Sequence, residues 1–223
     1  MNILIFGASG MVGLGVLREC LLDTAVERVT TVGRSRIEQQ HAKLRQIAHA
    51  DLYNLASIEG ELTGYDACFF CLGVSSAGMN EADYSRITYD LTLAVATTLV
   101  RLNPAMTFVY VSGAGTDSSE NGRSMWARVK GRTENALLRL PFKAAYMFRP
   151  GVIQPLHGIK SKTALYRAIY VVIGPLLSAL KPLLPKYITS TEQVGLAMLK
   201  VAKNGTSKRI LEGEDINRVT SET

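Results

Sequence analysis

Three glycines near the start of the chain, Gly7, Gly10 and Gly13, have the spacing of a turn that could hold an anion. An apolar run over residues 3–6 precedes them and predicts a buried strand, and apolar residues at helical spacing follow them. A helix that begins at such a turn presents unpaired N–H groups and the positive end of its dipole to a ligand. Glycine would permit the tight turn, the approach of phosphate to the backbone, and close packing of helix on strand. The pattern predicts a pyrophosphate site, with a glycine-rich turn that binds nothing as the alternative.

The segment Gly7-Ala-Ser-Gly-Met-Val-Gly13 resembles the cofactor turn of the atypical and extended short-chain dehydrogenase/reductases, which bind NAD or NADP on a Rossmann sheet. Its spacing differs from the G-x-G-x-x-G pattern of the dinucleotide-binding fingerprint. The resemblance implies an α/β fold with a doubly wound parallel sheet and a small, mainly helical C-terminal lobe. It covers residues 1–150 with the motifs in order and extends more loosely to residue 212. In this turn it implies cofactor contacts by Gly7, Ser9, Gly10, Met11, Val12 and Gly13.

The end of the predicted second strand, residues 28–33, bears on the choice of cofactor. Sites that prefer NAD usually place an acidic residue here to bind the ribose hydroxyls, whereas this chain has Arg34, Ser35 and Arg36. Guanidinium groups form paired hydrogen bonds with phosphate oxygens and would suit the 2′-phosphate of NADP. We therefore expect NADP to be preferred over NAD, with a solvated basic loop as the alternative.

Three further strand ends are expected to contact the cofactor by the same resemblance. They follow the strands predicted over residues 44–48, 66–73 and 142–148. At the second of these ends, glycine would let the cofactor lie directly on the backbone. For Asp51, which follows residues 44–48, a helix-cap or turn role is an equal alternative. For the residues that follow the strand over 142–148, a rigid turn is the alternative. The expected contacts are Asp51, Leu52, Cys71, Leu72, Gly73, Pro150, Gly151 and Val152.

The end of the predicted fifth strand, residues 106–112, is where chemistry is expected. Ligands of open α/β sheets bind at the carboxyl ends of the strands. The resemblance places a catalytic serine or threonine at or slightly beyond this end, and Ser112 is the candidate. A shift of one or two residues would leave Gly113 or Ala114 in that place.

The family's Tyr-x-x-x-Lys motif falls on the helix predicted over residues 124–140, where this chain has Trp126 and Lys130. Residues four apart share a helix face, so the family lysine can lower the pKa of the phenol and hold the nicotinamide ribose. The indole of Trp126 donates a hydrogen bond but exchanges no proton near neutral pH, so we expect it to line the pocket. Lys130 keeps a cofactor role, or is a surface lysine paired with Glu134. A proton would come from water or from another group, for which the candidates are Tyr89, Tyr110 and Tyr146.

Composition describes one globular domain, residues 1–223, with a formal charge of +6. The basic residues are scattered and are not interleaved with aromatics, which argues against nucleic-acid binding. No metal site is expected. The cysteines are odd in number and lie in apolar runs, and no basic leader precedes the first strand, so we expect reduced thiols in a cytoplasmic protein. They are Cys20, Cys68 and Cys71.

The character of the sequence changes over residues 154–190, which are expected to form an apolar lid or substrate lobe. Residues 163–187 are strongly apolar, but they contain charged residues and prolines that argue against a membrane-spanning helix. Contact with a membrane surface or a protein partner through this segment stays open, as does a homodimer.

Two functions fit these observations. The first is an NADP(H)-binding oxidoreductase, or a related epimerase-like enzyme, that acts on a small carbonyl or hydroxyl compound. The second is a catalytically impaired protein that senses bound NADPH and signals to a protein partner. Trp126 favours the second, and the substrate of the first has no recognisable motif.

Overall fold

The computed structural model describes residues 1–159 and 186–221. Its strands are β1 Asn2–Phe6, β2 Arg28–Gly33, β3 Leu44–Ala48, β4 Ala67–Phe70, β5 Thr107–Val111, β6 Ala144–Arg149, β7 Val152–Gln154, β8 Ile188–Ser190 and β9 Ile210–Glu212. Seven of them form one parallel sheet in the order β3-β2-β1-β4-β5-β6-β9, and β7 pairs with β8. The order runs outward from β1 in one direction and from β4 in the other, which is the doubly wound arrangement of a Rossmann sheet. The predicted fold class is confirmed.

Helices cover both faces of the large sheet. They are α1 Met11–Leu22, α2 Glu81–Ser85, α3 Leu91–Leu102, α4 Met125–Arg139, α5 Thr191–Asn204 and α6 Gly213–Ser221. A short 3₁₀ helix covers Ala56–Glu61. Between α2 and α3, Arg86–Asp90 form a π-helical turn that joins the two helices.

The central strands are buried on both faces, as the unbroken apolar run of β1 predicts. Ile3 and Ile5 belong to the core formed with α1 and α5, whereas Leu4 and Phe6 belong to the core formed with α3 and α4. Each such side chain contributes roughly 1.5–3 kcal/mol when it is fully buried. These two cores fix the carboxyl ends of the strands, where the site is built.

Residues 213–221 are mostly polar, yet they form α6. Its only fully buried apolar side chain is Ile216, with Val219 partly buried beside the core, so the apolar pattern is too sparse to predict a helix. Residues 160–185, which hold most of the expected lid and of the apolar segment 163–187, lie outside the described residues. Within the described ranges no helix has the length and apolar character needed to cross a membrane.

Candidate functional site

Glycine is required at two positions of the turn between β1 and α1. Gly7 has a φ of +82°, and a Cβ there would lie 2.7 Å from backbone atoms of Cys71 and Leu72. A Cβ at Gly13 would lie 2.1 Å from the carbonyl oxygen of Gly7. At Gly10 the nearest atom would be 3.4 Å away, so this position has room for a methyl group with little adjustment. The main chains of the turn, of α1 and of the residues after β4 are therefore in direct contact.

The first turn of α1 offers its N–H groups to an external acceptor. Gly10 is the N-cap residue, no side chain caps the helix, and no acidic residue lies in the first turn. Met11 and Val12 follow at the positive end of the helix dipole, and both line the adjacent cavity. An anion such as a pyrophosphate fits this arrangement, because it supplies acceptors that the described side chains do not supply there.

Two cavities adjoin the glycine turn and share Leu72 in their walls. The larger has a volume of about 500 Å³ and lies over the ends of β4, β5 and β6. The smaller has a volume of about 140 Å³ and lies between the turn and the end of β2. Ligand sites of this fold occur at the carboxyl ends of the strands, where the strand order reverses. The two cavities and the uncapped helix between them fit the two halves and the pyrophosphate of a nicotinamide dinucleotide.

The smaller cavity contains the predicted basic end of the cofactor site. Arg34 and Ser35 line it, but the structure does not bring Arg36 or Asp51 to it. Asp51 instead accepts a hydrogen bond from the N–H of Tyr53 at 3.0 Å, which is the turn role that the sequence left open. Among the described residues, no carboxylate side chain lines this cavity. The other predicted contacts that line it are Gly7, Ser9, Leu52 and Leu72.

The larger cavity brings together most of the remaining candidates. Val152 is not among them, because its side chain is 43% exposed and the neighbouring Ile153 lines the cavity instead. Successive side chains of a strand point to opposite faces, so an error of one residue exchanges the contact. Gly13 lines neither cavity and serves the close packing of α1. The predicted residues that line the larger cavity are Gly10, Met11, Val12, Cys71, Leu72, Gly73, Ser112, Trp126, Lys130, Pro150 and Gly151.

Lys130 places an amine in the wall of the larger cavity. Its Nζ donates a hydrogen bond to the backbone carbonyl of Ser112. Burial lowers the pKa of Lys130 to about 8, although the nearby Glu134 carboxylate acts in the opposite direction. The side chain is therefore mostly an ammonium at neutral pH and loses its charge in mildly alkaline solution.

Ser112 lines the larger cavity, but its hydroxyl is engaged elsewhere. Its Oγ donates to the carboxylate of Glu134 and lies 3.1 Å from the backbone carbonyl oxygen of Phe148. Glu134 is completely buried, and its partner is Arg149, whose Nε lies 3.0 and 3.1 Å from the two carboxylate oxygens. The interpretation of Glu134 as a surface partner of Lys130 is therefore wrong. Ser112 thus contacts the buried pair through its hydroxyl, and its backbone carbonyl accepts the hydrogen bond from Lys130.

Arg149 connects the walls of the larger cavity. Besides Glu134 on α4, it donates to Ser118 Oγ at 2.6 Å and to Glu212 Oε1 at 3.2 Å. Burial lowers the pKa of Arg149, but the hydrogen bonds and charges of Glu134 and Glu212 raise it overall. Sequence reasoning missed both members of the pair. The available signals were the four-residue spacing of Lys130 and Glu134, and the position of Arg149 immediately before Pro150.

Helix α4 is held against the loop that precedes it. A Cβ at Gly131 would lie only 1.7 Å from the carbonyl oxygen of Asp117, so the two main chains are in contact. Asp117 also accepts hydrogen bonds from Ser119 and from the N–H of Gly122, which hold its carboxylate in the loop and lower its pKa. This contact fixes α4 and with it Trp126 and Lys130.

None of the three tyrosines considered as proton donors lines either cavity. Tyr110 is buried, and burial raises the pKa of its phenol. The hydroxyl of Tyr146 accepts a hydrogen bond from the N–H of Thr206 at 3.1 Å, away from the site. The ring of Tyr89 lies under the guanidinium of Arg132, 4.4 Å from its centre. In the described part of the chain, no group of three or more His, Cys, Asp or Glu residues could hold a metal ion.

Comparison with curated proteins identifies relatives along most of the chain. Protein FMP52-2, mitochondrial, from Scheffersomyces stipitis is 30% identical over 152 residues, which cover 67% of this chain and 65% of that protein. Protein FMP52, mitochondrial, from Eremothecium gossypii is 28% identical over 97% of this chain and 96% of that protein. Protein HTATIP2 from Rattus norvegicus is 28% identical over 68% of this chain and 62% of that protein. The matched stretch thus spans slightly less than two thirds of the first and third relatives.

Solved structures share the fold. An oxidoreductase of the short chain dehydrogenase/reductase family from Burkholderia thailandensis has a TM-score of 0.67 at 16% identity, covering 99% of this chain and 95% of that chain. The Bordetella bronchiseptica enzyme WbmF in complex with NAD+ has a TM-score of 0.66 at 16% identity, covering 97% of this chain and 76% of that chain. At this identity the likeness concerns the fold alone.

The names of the relatives contradict the predicted location. The FMP52 proteins of Scheffersomyces stipitis, Emericella nidulans and Eremothecium gossypii are all named mitochondrial. The prediction of a cytoplasmic protein is therefore wrong. It rested largely on the cysteines, which are indeed free, but reduced thiols indicate a reducing environment rather than one particular compartment.

A family model completes the comparison. Residues 3–123 of the 223 match the model of the NAD dependent epimerase/dehydratase family, which is more than half of the chain. The matched stretch contains the glycine turn, the end of β2 and the end of β5, which form much of the two cavities. The chain belongs to the NAD-dependent epimerase/dehydratase family.

Proposed function

We propose that the protein is an NADP(H)-binding oxidoreductase of the atypical short-chain dehydrogenase/reductase type that acts on a small carbonyl or hydroxyl compound. The observation that carries this proposal is the pair of cavities that meet at Leu72 beside the uncapped start of α1. When bound, a reduced nicotinamide supplies a hydride. The protein's part is to bind, orient and shield the reacting groups.

Each part of the groove has a proposed role. The N–H groups of Met11 and Val12 hold the pyrophosphate, and the backbone of residues 71–73 supports the adenosine ribose. Pro150 and Gly151 border the nicotinamide, and the Lys130 ammonium holds its ribose hydroxyls. Trp126 limits the space left for substrate.

The proposed preference for NADP is supported by the chemistry of the smaller cavity. Arg34 and Ser35 line it, and no carboxylate does among the described residues. A guanidinium binds a 2′-phosphate by charge-assisted hydrogen bonds, whereas a carboxylate would repel it.

Calorimetric titration with NADPH and NADH tests this assignment. Arg34→Ala should weaken NADPH binding by about 10–100-fold, the range expected for a hydrogen bond to a charged group, and should change NADH binding by no more than about threefold. Arg36→Ala is the matched control, because Arg36 lies outside both cavities, and it should leave both affinities nearly unchanged. Equal losses of NADPH and NADH in the Arg34 variant would contradict the 2′-phosphate assignment. A wild-type protein that binds neither dinucleotide would overturn the whole proposal.

A second candidate function is a catalytically impaired sensor of NADPH that signals to a protein partner. The observation that favours it is that no carboxylic acid, histidine or tyrosine is among the described residues that line the larger cavity, while the hydroxyl of Ser112 is bonded to Glu134. By the sequence resemblance, Trp126 takes the position of the family's tyrosine. Turnover of NADPH over a panel of aldehydes, ketones and quinones separates the two functions. Tight NADPH binding without turnover, combined with a gain of activity in Trp126→Tyr, would favour the sensor.

A further inference from the structure

Few titratable side chains line the larger cavity in the described part of the chain. Among the described residues that line it, only Cys71 and Lys130 have titratable side chains. Burial raises the pKa of Cys71 to about 12, so its thiol stays neutral. Lys130 is consequently the one charged group in these walls. The site can stabilise a negative charge better than it can deliver a proton.

One part of the cavity wall carries few side-chain atoms besides an indole, since Gly113, Ala114 and Trp126 line it. The ring of Trp126 lies beside Gly115, because a Cβ added there would be 3.5 Å from the Cη2 atom of the indole. Gly113 and Gly115 both have positive φ angles, of +144° and +84°, and Ala114 between them carries only a methyl group. An indole next to a loop almost free of side chains suits a planar conjugated ligand, which gains from stacking on the ring.

The two features favour one class of hydride acceptor. Reduction of an aliphatic ketone or aldehyde leaves an alkoxide, which is about as basic as hydroxide and far more basic than a phenolate, so a positioned acid is needed. Reduction of a quinone leaves a phenolate, whose conjugate acid has a pKa of about 10, as for the tyrosine side chain. Water can protonate such an anion without help once a cation has stabilised it. The absence of tyrosine at position 126 therefore matters least for quinones.

We propose that the substrate is a planar quinone, bound beside Trp126 and the loop of residues 113–115 with one carbonyl oxygen facing the ammonium of Lys130. This inference rests on the proposed function, which supplies the hydride donor. The quinone accepts a hydride, and with it two electrons, and becomes the hydroquinone monoanion. The dinucleotide is oxidised in the same step. Water then supplies the proton that completes the hydroquinone.

Binding can be tested without turnover, because Trp126 is the only tryptophan in the sequence. The protein is saturated with NADP+, which cannot reduce the ligand, and is titrated with a water-soluble naphthoquinone. Saturable quenching of the tryptophan emission is expected, beyond the collisional quenching of free N-acetyltryptophanamide at the same concentrations. By calorimetry, cyclohexanone should bind at least about tenfold more weakly, since it cannot stack.

Turnover provides the second test. The wild type should reduce the naphthoquinone at least about 100-fold faster than cyclohexanone, which requires the missing acid. Trp126→Tyr should raise the ratio of ketone to quinone turnover by at least about tenfold, since general acid catalysis is worth more than that. Lys130→Met should lower kcat/KM for the quinone by about 10–100-fold, whereas the exposed Lys143→Ala should not.

The outcomes distinguish a failure of the quinone assignment from a failure of the dinucleotide assignment. A protein that binds NADPH but neither binds nor reduces the quinone, or that reduces cyclohexanone equally well, overturns the quinone assignment and leaves the dinucleotide assignment intact. A protein that binds no dinucleotide overturns both.

Discussion

The candidate site has two parts, one formed by main-chain atoms at the glycine turn and one formed by side chains at the ends of β5 and β6. At the glycine turn the site consists of main chain: Gly7 and Gly13 have no room for a side chain, and the start of α1 has no cap of its own. At the ends of β5 and β6 the site depends on side chains, with Lys130 in the wall and the Glu134–Arg149 pair behind it. A main-chain site survives most substitutions around it, whereas one substitution changes the chemistry of a side-chain site. A protein of this fold can therefore keep its ligand while its reaction changes.

The sharpest test of the side-chain half is to break its buried pair. Glu134→Gln removes the fully buried counter-charge of Arg149 and leaves only the half-exposed Glu212 carboxylate beside it, so we expect a loss of about 3 kcal/mol in the free energy of unfolding. Urea denaturation measures this loss. The double variant Glu134→Leu, Arg149→Met should recover part of it, because no buried charge is then left unpaired and the half-exposed Glu212 is solvated. A loss below about 1 kcal/mol in the single variant would show that the pair does not hold this half together.

The main-chain half can be broken by one methyl group. Gly13→Ala places a Cβ 2.1 Å from the carbonyl oxygen of Gly7, so the turn must shift and dinucleotide affinity should fall by at least about 100-fold, with a loss of about 1–3 kcal/mol in stability. Gly10→Ala is the matched control for folding, because the nearest atom is 3.4 Å from its Cβ. It should unfold at the same urea concentration as the wild type. Unchanged dinucleotide binding in Gly13→Ala would contradict the role of the close contact.

A pH titration probes Lys130, the one charged side chain among the described residues that line the larger cavity. Because the pKa of Lys130 is lowered to about 8, its ammonium is present below that pH and is lost as the pH rises through it. Affinity for an anionic ligand, measured as the Kd of NADPH, should be constant up to about pH 7 and then weaken towards pH 9. Lys130→Arg keeps its charge over this range and should show a flat profile. The same decline in both proteins would place the titrating group elsewhere.

The smallest effect is expected at Asp51, which lies outside both cavities. Its carboxylate only accepts the N–H of Tyr53 in an exposed turn. Asp51→Ala should cost no more than about 1 kcal/mol of stability and leave the Kd of NADPH within about twofold. A rise in the Kd of NADPH well beyond twofold, in a variant that is as stable as the wild type, would restore Asp51 as a cofactor contact.

The main-chain part of the site could be predicted from the sequence, whereas much of the side-chain part could not. The glycine turn and the ends of β2 and β3 are local patterns, so their bounds and their place in the sheet follow from neighbouring residues. The pair of Glu134 and Arg149 joins two elements that meet only in the folded sheet, and the spacing of Glu134 from Lys130 resembles that of a surface pair. Nothing in the local pattern distinguishes a buried charge from an exposed one.

Smaller errors have equally specific causes. At the start of β7 the cavity contact is Ile153 rather than Val152, because the face on which a strand residue lies changes with each step along the chain. Helix α6 was missed because its helical pattern rests on Ile216 and Val219 alone. The hydroxyl of Ser112 was assigned to the cavity, since a strand end predicts the position of a residue but not the direction of its side chain.

The contact between Gly131 and Asp117 gives an independent means of changing the site. Both Trp126 and Lys130 lie on α4, which is in main-chain contact with the loop at this point, so a side chain at position 131 would act as a wedge behind the whole helix. A series of alanine, serine and valine at this position would then serve as a set of spacers of increasing thickness. The width of the cavity could be calibrated in this way without altering any residue that lines it.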